Sequence, residues 1–409
     1  MPLYLFLLIV LSLSGGSVDW LSIDPQRTLM ATAGLLLGWA MLSHVGARMI
    51  AKQVLSKDVR EVTGAIWVER QLEGMRWLGL GVIVICSAGF GYGQWIAQIP
   101  VVEHSMAAQS LLLLIPGVVI ILSAWSAENL YGMVLGYTDL SLTDHVKTVL
   151  AAFRSGAAWL IVPVLLILLL TDLIRSLPIT ENQATWATIV MMAITVPLGI
   201  PVLVRRLLHT EPLDQSFDWI QLILQRCRLR GTPPIRWNTG NRSYNALVAG
   251  FVPGLRSLVV SDRILDEMRP DQIGMIVLHE VAHLKRFHVP LRMFSVLPAW
   301  GAGMAISYLL QDWPWAGSVG SVSAIGLTLL VLRWVAYLTE FDADRYACRM
   351  AESLRGELAE LPASRSAAAL SLAEALAMVT RDQPGAQKAT WLHPSVGQRS
   401  DRGHFMQTL

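Results

Sequence analysis

Long apolar stretches without charged residues alternate with short polar segments along the first half of the chain, and they recur near residue 300. A helix that spans a bilayer needs about 20 predominantly apolar residues. The pattern therefore predicts a multi-pass α-helical membrane protein. The predicted spans are Thr28–Ala47, Trp77–Val102, His104–Ala127, Ser155–Thr171, Asn182–Val204, Met293–Leu310 and Trp313–Leu332.

Met1–Val18 is a further, shorter apolar candidate. It lacks the basic first segment of a signal peptide, although Ser14–Ser17 has the small residues of a cleavage region. We expect it to be retained as a span, so that five or six helices precede the polar stretch that begins at Arg205.

The polar stretch between the apolar runs has the signals of a small mixed domain. Asp214–Gly231 carries apolar residues at helical spacing, and Pro270 is suited to the first turn of a helix over Asp271–Phe287. Between these helices, short apolar runs bounded by turn residues predict strands, giving an α+β arrangement. The predicted strands are Ile235–Trp237, Ala246–Ala249 and Arg256–Ser261.

These elements divide the chain into a membrane region, a polar domain in two parts and a transmembrane hairpin that separates the parts. The second part follows the hairpin directly in the sequence. The predicted bounds are 1–204 for the membrane region, 205–288 and 338–409 for the domain, and 289–337 for the hairpin.

Composition agrees with the membrane assignment, since 54% of the residues are hydrophobic, 15% are charged and the mean hydropathy is +0.49. A net charge of +2, without a basic stripe of interleaved aromatics, predicts no nucleic-acid partner. The expected partners are the lipid bilayer and a protein or peptide substrate, and the oligomeric state is left open. The three cysteines have no C-x-x-C spacing, and we expect free thiols.

Loops rich in lysine and arginine alternate along the chain with loops that contain few of these residues. Loops on the cytoplasmic side of a membrane carry the excess of these residues. This rule places 205–292 and the segment from Arg333 onward on the cytoplasmic side, where they can form one domain.

The candidate chemistry begins with His279-Glu280-Val281-Ala282-His283 on the helix that follows Pro270. Residues at i and i+4 share a helix face, so both histidines can point at one metal ion. Glu280 is placed to take a proton from a water on the metal rather than to bind the metal. His288 would lie on another face, and we expect it at the membrane surface.

A catalytic zinc ion usually has three protein ligands and a water. Glu340 is the candidate third ligand because it follows the predicted hairpin, on the same side of the membrane as the histidines. Asp344 lies one turn further, able to accept the free N–H of a zinc histidine, which favours Glu340 over Asp342. The sequence predicts one Zn²⁺ per chain.

The segment 277–288, the hairpin and the segment 340–347 together resemble the membrane zinc endopeptidases related to HtpX and the CAAX prenyl protease. Asn245-Ala246 with Gly250 resembles the family's edge strand beside the cleft, and His393-Pro394 with Arg399 resembles its C-terminal element. The resemblance covers about residues 212–409.

The resemblance implies a cytoplasmic α+β gluzincin-type metallopeptidase domain split by a transmembrane hairpin. It implies that His279, His283 and Glu340 are metal ligands and that Glu280 is the general base. It also implies that His393 and Arg399 hold the substrate or the developing oxyanion. Asn245, Ala246 and Gly250 would bind the substrate.

The predicted function is a zinc-dependent endopeptidase of the bacterial inner membrane, which cleaves membrane-associated or unfolded proteins on the cytoplasmic side. Glu280 would activate the zinc-bound water as the nucleophile. A sensor-transducer protease resembling the BlaR/MecR proteins is an alternative, although His393-Pro394 and Arg399 favour the first family. A non-catalytic membrane scaffold is a further alternative, and the complete set of candidate site residues argues against it.

Overall fold

A computed structural model describes residues 2–14, 24–137, 141–241, 243–250, 252–313, 315–354, 356–381 and 388–405. The chain divides into two compact units, Met1–Val196 and Pro197–Leu409. Each unit is described by itself below.

The first unit is helical. Its helices are α1 (Pro2–Ser14), α2 (Pro25–Leu55), α3 (Glu61–Val84), α4 (Tyr92–Ala97), α5 (Pro100–Glu103), α6 (Met106–Leu113), α7 (Ile115–Val134), α8 (Leu142–Gly156), α9 (Ala158–Arg175) and α10 (Glu181–Leu207), of which α10 extends into the second unit. A π-helical turn, Ile85–Gly89, continues α3.

Capping residues in the sequence explain where α2 begins, and packing against neighbouring helices explains how α2 is kept in place. The Asp24 carboxylate accepts hydrogen bonds from the backbone N–H groups of Gln26 and Arg27, while Pro25 occupies the first helical position. Helix α2 packs against α3 and α7. Leu8 of α1, Ile83 and Ile120 are almost fully buried in one cluster, so α1 contributes to the core of this unit.

The prediction of a multi-pass membrane protein is confirmed. Within the described residues, six helical segments are long and apolar enough to cross a membrane, and α10, bent by 45°, would be a seventh. Helix α1 covers only Pro2–Ser14, which is shorter than a bilayer requires, and part of its predicted span lies outside the described residues. The six segments are Pro25–Leu55, Glu61–Gly89, Ile115–Val134, Ala158–Arg175, His288–Leu309 and Val319–Ser353.

The bounds of two predicted spans were wrong. Trp77–Val102 was expected to be one span, but the helix begins at Glu61 and the span ends at Gly89, because α3 also includes the charged residues that precede the apolar stretch. His104–Ala127 is interrupted at Leu114, and the span covers Ile115–Val134. Hydropathy finds apolar residues but does not show where a helix begins.

The second unit contains a four-stranded sheet in the order β1-β2-β4-β3. Strands β2 and β4 are parallel, and the outer strands β1 and β3 are antiparallel to their neighbours. The strands are β1 (Thr210–Pro212), β2 (Pro234–Trp237), β3 (Ala246–Ala249) and β4 (Ser257–Ser261). The last three confirm the predicted strands, and β1 was not predicted.

The second unit also contains helices. They are α11 (Asp218–Arg226, after the 3₁₀ turn Gln215–Phe217), α12 (Asp262–Glu267), α13 (Pro270–Lys285), α14 (His288–Phe294), α15 (Leu297–Leu309), α16 (Ala316–Ser353), α17 (Arg365–Val379) and α18 (Val396–Phe405). Helix α13 packs against α16 and α17, and it carries the candidate motif into the buried core of the unit.

Helix α16 continues without a break from the second span of the hairpin into the polar domain. It therefore crosses the predicted boundary at residue 338 and rigidly joins the span to the segment that holds Glu340. The division of the chain into domains stays a prediction.

The hairpin depends on a close approach of α15 and α16. A Cβ atom added at Gly303 would lie 2.4 Å from the Cβ of Ala324 and 2.7 Å from the carbonyl oxygen of Gly320. A Cβ atom at Gly301, on the same helix, would meet nothing within 4 Å. Small residues at such crossings allow membrane helices to pack tightly.

We expect Gly303→Ala to destabilise the detergent-solubilised protein by about 1–3 kcal/mol, because the added methyl group overlaps backbone and side-chain atoms of α16. Gly301→Ala is the matched control, and its higher helix propensity should leave stability unchanged or slightly increased. Thermal unfolding of both variants checks this. Equal midpoints for the two variants would contradict the packing described here.

Candidate metal centre and active site

Helix α13 presents His279 and His283 on one face, one turn apart. Their Nε2 atoms are 3.1 Å apart, and the side chains are 10% and 12% exposed. The second ring nitrogen of each histidine is also hydrogen-bonded, that of His279 with Asp344 and that of His283 with His288. The two Nε2 atoms therefore converge on one point.

Glu340 of α16 completes the cluster. Its Oε2 lies 3.6 Å from Nε2 of His279, and its Oε1 lies 3.5 Å from Nε2 of His283. The carboxylate is almost fully buried, and the Arg292 guanidinium donates a hydrogen bond to Oε1 at 3.0 Å. A buried carboxylate requires such a partner, because an unpaired buried charge is strongly destabilising.

The donor set fits a zinc ion. For zinc bonds of about 2.0–2.1 Å, tetrahedral geometry separates neighbouring ligand atoms by about 3.3 Å. The two Nε2 atoms are 3.1 Å apart, and each lies near a different oxygen of Glu340, Oε2 at 3.6 Å and Oε1 at 3.5 Å, distances close to that value. Two imidazole nitrogens and one carboxylate oxygen also form a donor set typical of catalytic zinc sites.

The other nitrogen of His279 is hydrogen-bonded to Asp344. The distance from Nδ1 to Oδ1 is 2.9 Å, and Arg399 donates from Nε to Oδ2 of the same carboxylate at 2.8 Å. This arrangement orients the His279 ring with Nε2 facing Glu340. Burial lowers the pKa of His279, but the hydrogen bonds with Asp344 and Glu340 outweigh it and raise the pKa to about 9. The carboxylates thus favour a positive charge at this position.

The expectation for His288 was wrong. It was expected on another helix face at the membrane surface, but it is 3% exposed, and its Nδ1 lies 2.9 Å from Nδ1 of His283. The reason is that α13 ends at Lys285, and Phe287 adopts a left-handed φ of 54°, which turns the chain back beneath His283. Burial lowers the pKa of His283 to about 2.

Glu280 lies next to the cluster on the floor of a cleft of about 460 Å³. It is half-buried and lines this cleft together with the three candidate ligands and residues of the C-terminal segment. Burial raises the pKa of Glu280 to about 7. A carboxylate with such a pKa is suited to accept and return a proton near neutral pH.

His393 and Arg399 approach the same cluster from the C-terminal segment. His393 is half-exposed, lines the cleft and has its Nδ1 3.2 Å from Oε2 of Glu340. The backbone N–H of His393 donates a hydrogen bond to Oγ1 of Thr390 and so closes a turn. Tyr337 donates a hydrogen bond to the Thr390 carbonyl. Arg399 is 8% exposed and directs its donors at Asp344 and Glu340.

Strand β3 forms one wall of the cleft and is one of the two edge strands of the sheet. Asn245, Ala246 and Gly250 all line this cleft, as the sequence predicted for substrate-binding positions. Gly250 has a φ of +85°, and a Cβ atom there would lie 2.5 Å from Pro201. Only glycine therefore suits the end of this strand.

Apart from Asp344, the residues that support the candidate ligands were not predicted from the sequence. Arg292 holds Glu340, Asp342 accepts a hydrogen bond from His288, and Arg286 donates to Asp342 at 2.8 Å. Arg292 had a recognisable signal, since it lies within the apolar segment His288–Leu309, and charged residues inside a span usually pair with another group of the protein. His288 had none, because its position depends on the φ angle of one exposed residue.

Comparison with known proteins identifies the domain. Residues 222–400 match the sequence profile of Peptidase family M48. No curated protein sequence matches this chain significantly. Among solved structures, the crystal structure of Ste24p from S. mikatae is similar, with 15% sequence identity, a TM-score of 0.48, and coverage of 94% of this chain and 99% of that chain.

The chain therefore carries a metallopeptidase domain of family M48, and the protein is a membrane metalloprotease. The family implies a metal, usually zinc, and the cluster of His279, His283 and Glu340 can hold one.

Asp344→Asn should weaken zinc binding by about 10- to 100-fold, because it removes the charge that orients His279 and increases its basicity. Glu352→Gln, an equivalent loss of charge at an exposed position of the same helix, is the control and should leave zinc affinity unchanged. Competition with a chromophoric chelator measures both. Identical affinities would show that Asp344 does not support the metal.

Proposed function

We propose that this protein is a zinc-dependent membrane endopeptidase that hydrolyses peptide bonds of membrane-associated or unfolded proteins. His279, His283 and Glu340 would hold one zinc ion per chain, and Glu280 would act as the general base. The observation that carries this proposal is the convergence of three ligand atoms within 4.8 Å of one another, beside Glu280 and at the floor of a cleft.

Zinc, when bound, lowers the pKa of a water molecule towards neutrality and polarises a carbonyl group. Glu280 takes the proton of the attacking water and passes it to the amine of the departing peptide. Its position next to the ligand His279 places the carboxylate near the reacting atoms. Asp344 and Arg292 meanwhile keep His279 and Glu340 in place.

His393 and Arg399 have different roles in this proposal. His393 is exposed to the cleft, so its ring can donate a hydrogen bond to the oxyanion that develops on the substrate carbonyl. Arg399 is buried, and it forms a two-pronged interaction with Asp344. We therefore assign Arg399 to positioning His279 through Asp344, a narrower role than the family resemblance implied.

The substrate would bind as an extended strand along β3. Ser261 donates its backbone N–H to the Asn245 carbonyl at 2.9 Å, which makes Asn245 and Ser261 a hydrogen-bonded pair of the antiparallel ladder. Hydrogen-bonded and non-bonded pairs alternate, so the backbone groups of Ala246 and Val248 point away from β4. Pairing through main-chain groups recognises extended peptides with little dependence on sequence.

The distribution of basic residues favours a cytoplasmic peptidase domain. The loops after the first and third of the six spans contain Lys57, Arg60, Lys147 and Arg154, whereas 90–114 and 310–318 contain neither lysine nor arginine. Positive loops mark the cytoplasmic face. We propose that the domain faces the cytoplasm of a bacterial inner membrane.

Glu280→Gln should retain one zinc per chain and lose about 10²- to 10⁴-fold in the rate of cleavage of an unfolded model protein, because the general base is removed while all three ligands remain. Metal analysis and proteolysis assays on the detergent-purified protein measure both. Full peptidase activity in Glu280→Gln would overturn the assignment of the base. A wild type without zinc would overturn the site.

Val248→Pro should lower kcat/KM for an extended peptide about 2- to 10-fold, because it removes one backbone donor that faces the cleft without breaking a bond to β4. Val248→Ala changes the side chain but keeps the N–H group, and it is the matched control. Steady-state kinetics at constant zinc content give kcat/KM for both variants. Equal losses in the two variants would indicate a side-chain effect and contradict strand addition.

A further inference from the structure

We propose that His288 and Asp342 form a positioning relay for His283, through which a carboxylate that does not touch this ligand orients its ring and increases its basicity. The inference rests on the proposed metal site and adds two residues to it. Neither residue lines the substrate cleft.

The relay is a continuous chain of hydrogen bonds. The Nδ1 atom of His283 lies 2.9 Å from Nδ1 of His288, and Nε2 of His288 lies 3.1 Å from Oδ2 of Asp342. Asp342 is an acceptor, so His288 donates from Nε2 and must accept at Nδ1 in its neutral form. His283 therefore donates from Nδ1, which leaves the lone pair of Nε2 directed at His279 and Glu340.

The two candidate histidine ligands are thus supported in parallel ways. His279 donates directly to a carboxylate, Asp344, whereas His283 reaches its carboxylate, Asp342, through the imidazole of His288. Metal-binding histidines generally donate their second ring nitrogen to a carboxylate, a carbonyl group or water, which fixes the ring orientation. An inserted imidazole transmits the same polarisation over a longer distance.

The far end of the relay is also held in place. Arg286 donates to both oxygens of Asp342, from Nε at 2.8 Å and from Nη2 at 3.3 Å. This two-pronged contact fixes the carboxylate plane and keeps Oδ2 directed at His288. Arg286 is 54% exposed, so the relay extends from the buried ligand to the protein surface.

The backbone supports the same interpretation. Phe287 adopts a left-handed φ of 54° although its side chain is 66% exposed. This conformation is costly for a residue with a Cβ atom. Packing of the exposed ring does not explain it, whereas the turn is what brings His288 beneath His283. Strain of this kind often marks a functional constraint.

The test compares two replacements of His288. His288→Leu fills the space but breaks the relay, and it should weaken zinc binding about 10- to 100-fold. His288→Gln can accept from His283 and donate to Asp342, and it should restore affinity to within about threefold of wild type. The zinc dissociation constant, measured by chelator competition on the purified full-length protein, is the readout.

A second variant acts from the other end of the relay. Asp342→Leu leaves His288 in place but removes its acceptor, so it should also weaken zinc binding, and it keeps the test valid if His288→Leu does not fold. Thermal unfolding of the metal-free proteins identifies any variant with damaged packing. Wild-type affinity in both leucine variants would overturn the relay. Equal losses in His288→Leu and His288→Gln would also overturn it, whereas absence of zinc from the wild type would instead overturn the proposed function.

Discussion

The candidate active site depends on the close approach of helices α13 and α16. Ala347 and Ala351 of α16 are fully buried in the same cluster as Val277 and Val281 of α13, and their small side chains let the two backbones lie near each other. This packing brings His279 within hydrogen-bonding distance of Asp344, 65 positions later in the chain. Because α16 also forms the second span of the hairpin, the helix that anchors the domain in the membrane carries two groups of the site.

The residues that carry the chemistry of the site could be predicted from the sequence more completely than the structure around them. The positions of His279 and His283 follow from helix periodicity alone, and Pro270 marks the start of their helix correctly. Placing Glu340 beside them required a further step, the inference that a hairpin returns the chain to the same side of the membrane. Strands β2, β3 and β4 were predicted because short apolar runs at these positions are bounded by turn residues.

The features that were not predicted depend on information that residue patterns do not contain. The three-residue strand β1 has no alternating apolar pattern, and α3 continues through charged residues that are exposed on its surface. The burial of His288 depends on α13 ending at Lys285 and on one backbone angle at Phe287. The roles of Arg292 and Arg399 depend on which carboxylate each one meets, and only the packed structure shows that.

The most direct test of the central claim is X-ray absorption at the zinc K-edge on the purified, zinc-loaded protein. The proposed site predicts two imidazole ligands and additional oxygen donors at about 2.0–2.1 Å. Sulfur at about 2.3 Å would contradict it and would place the metal at a cysteine, such as Cys227 or Cys348. A signal with fewer than two imidazoles would also contradict the joint binding of zinc by His279 and His283.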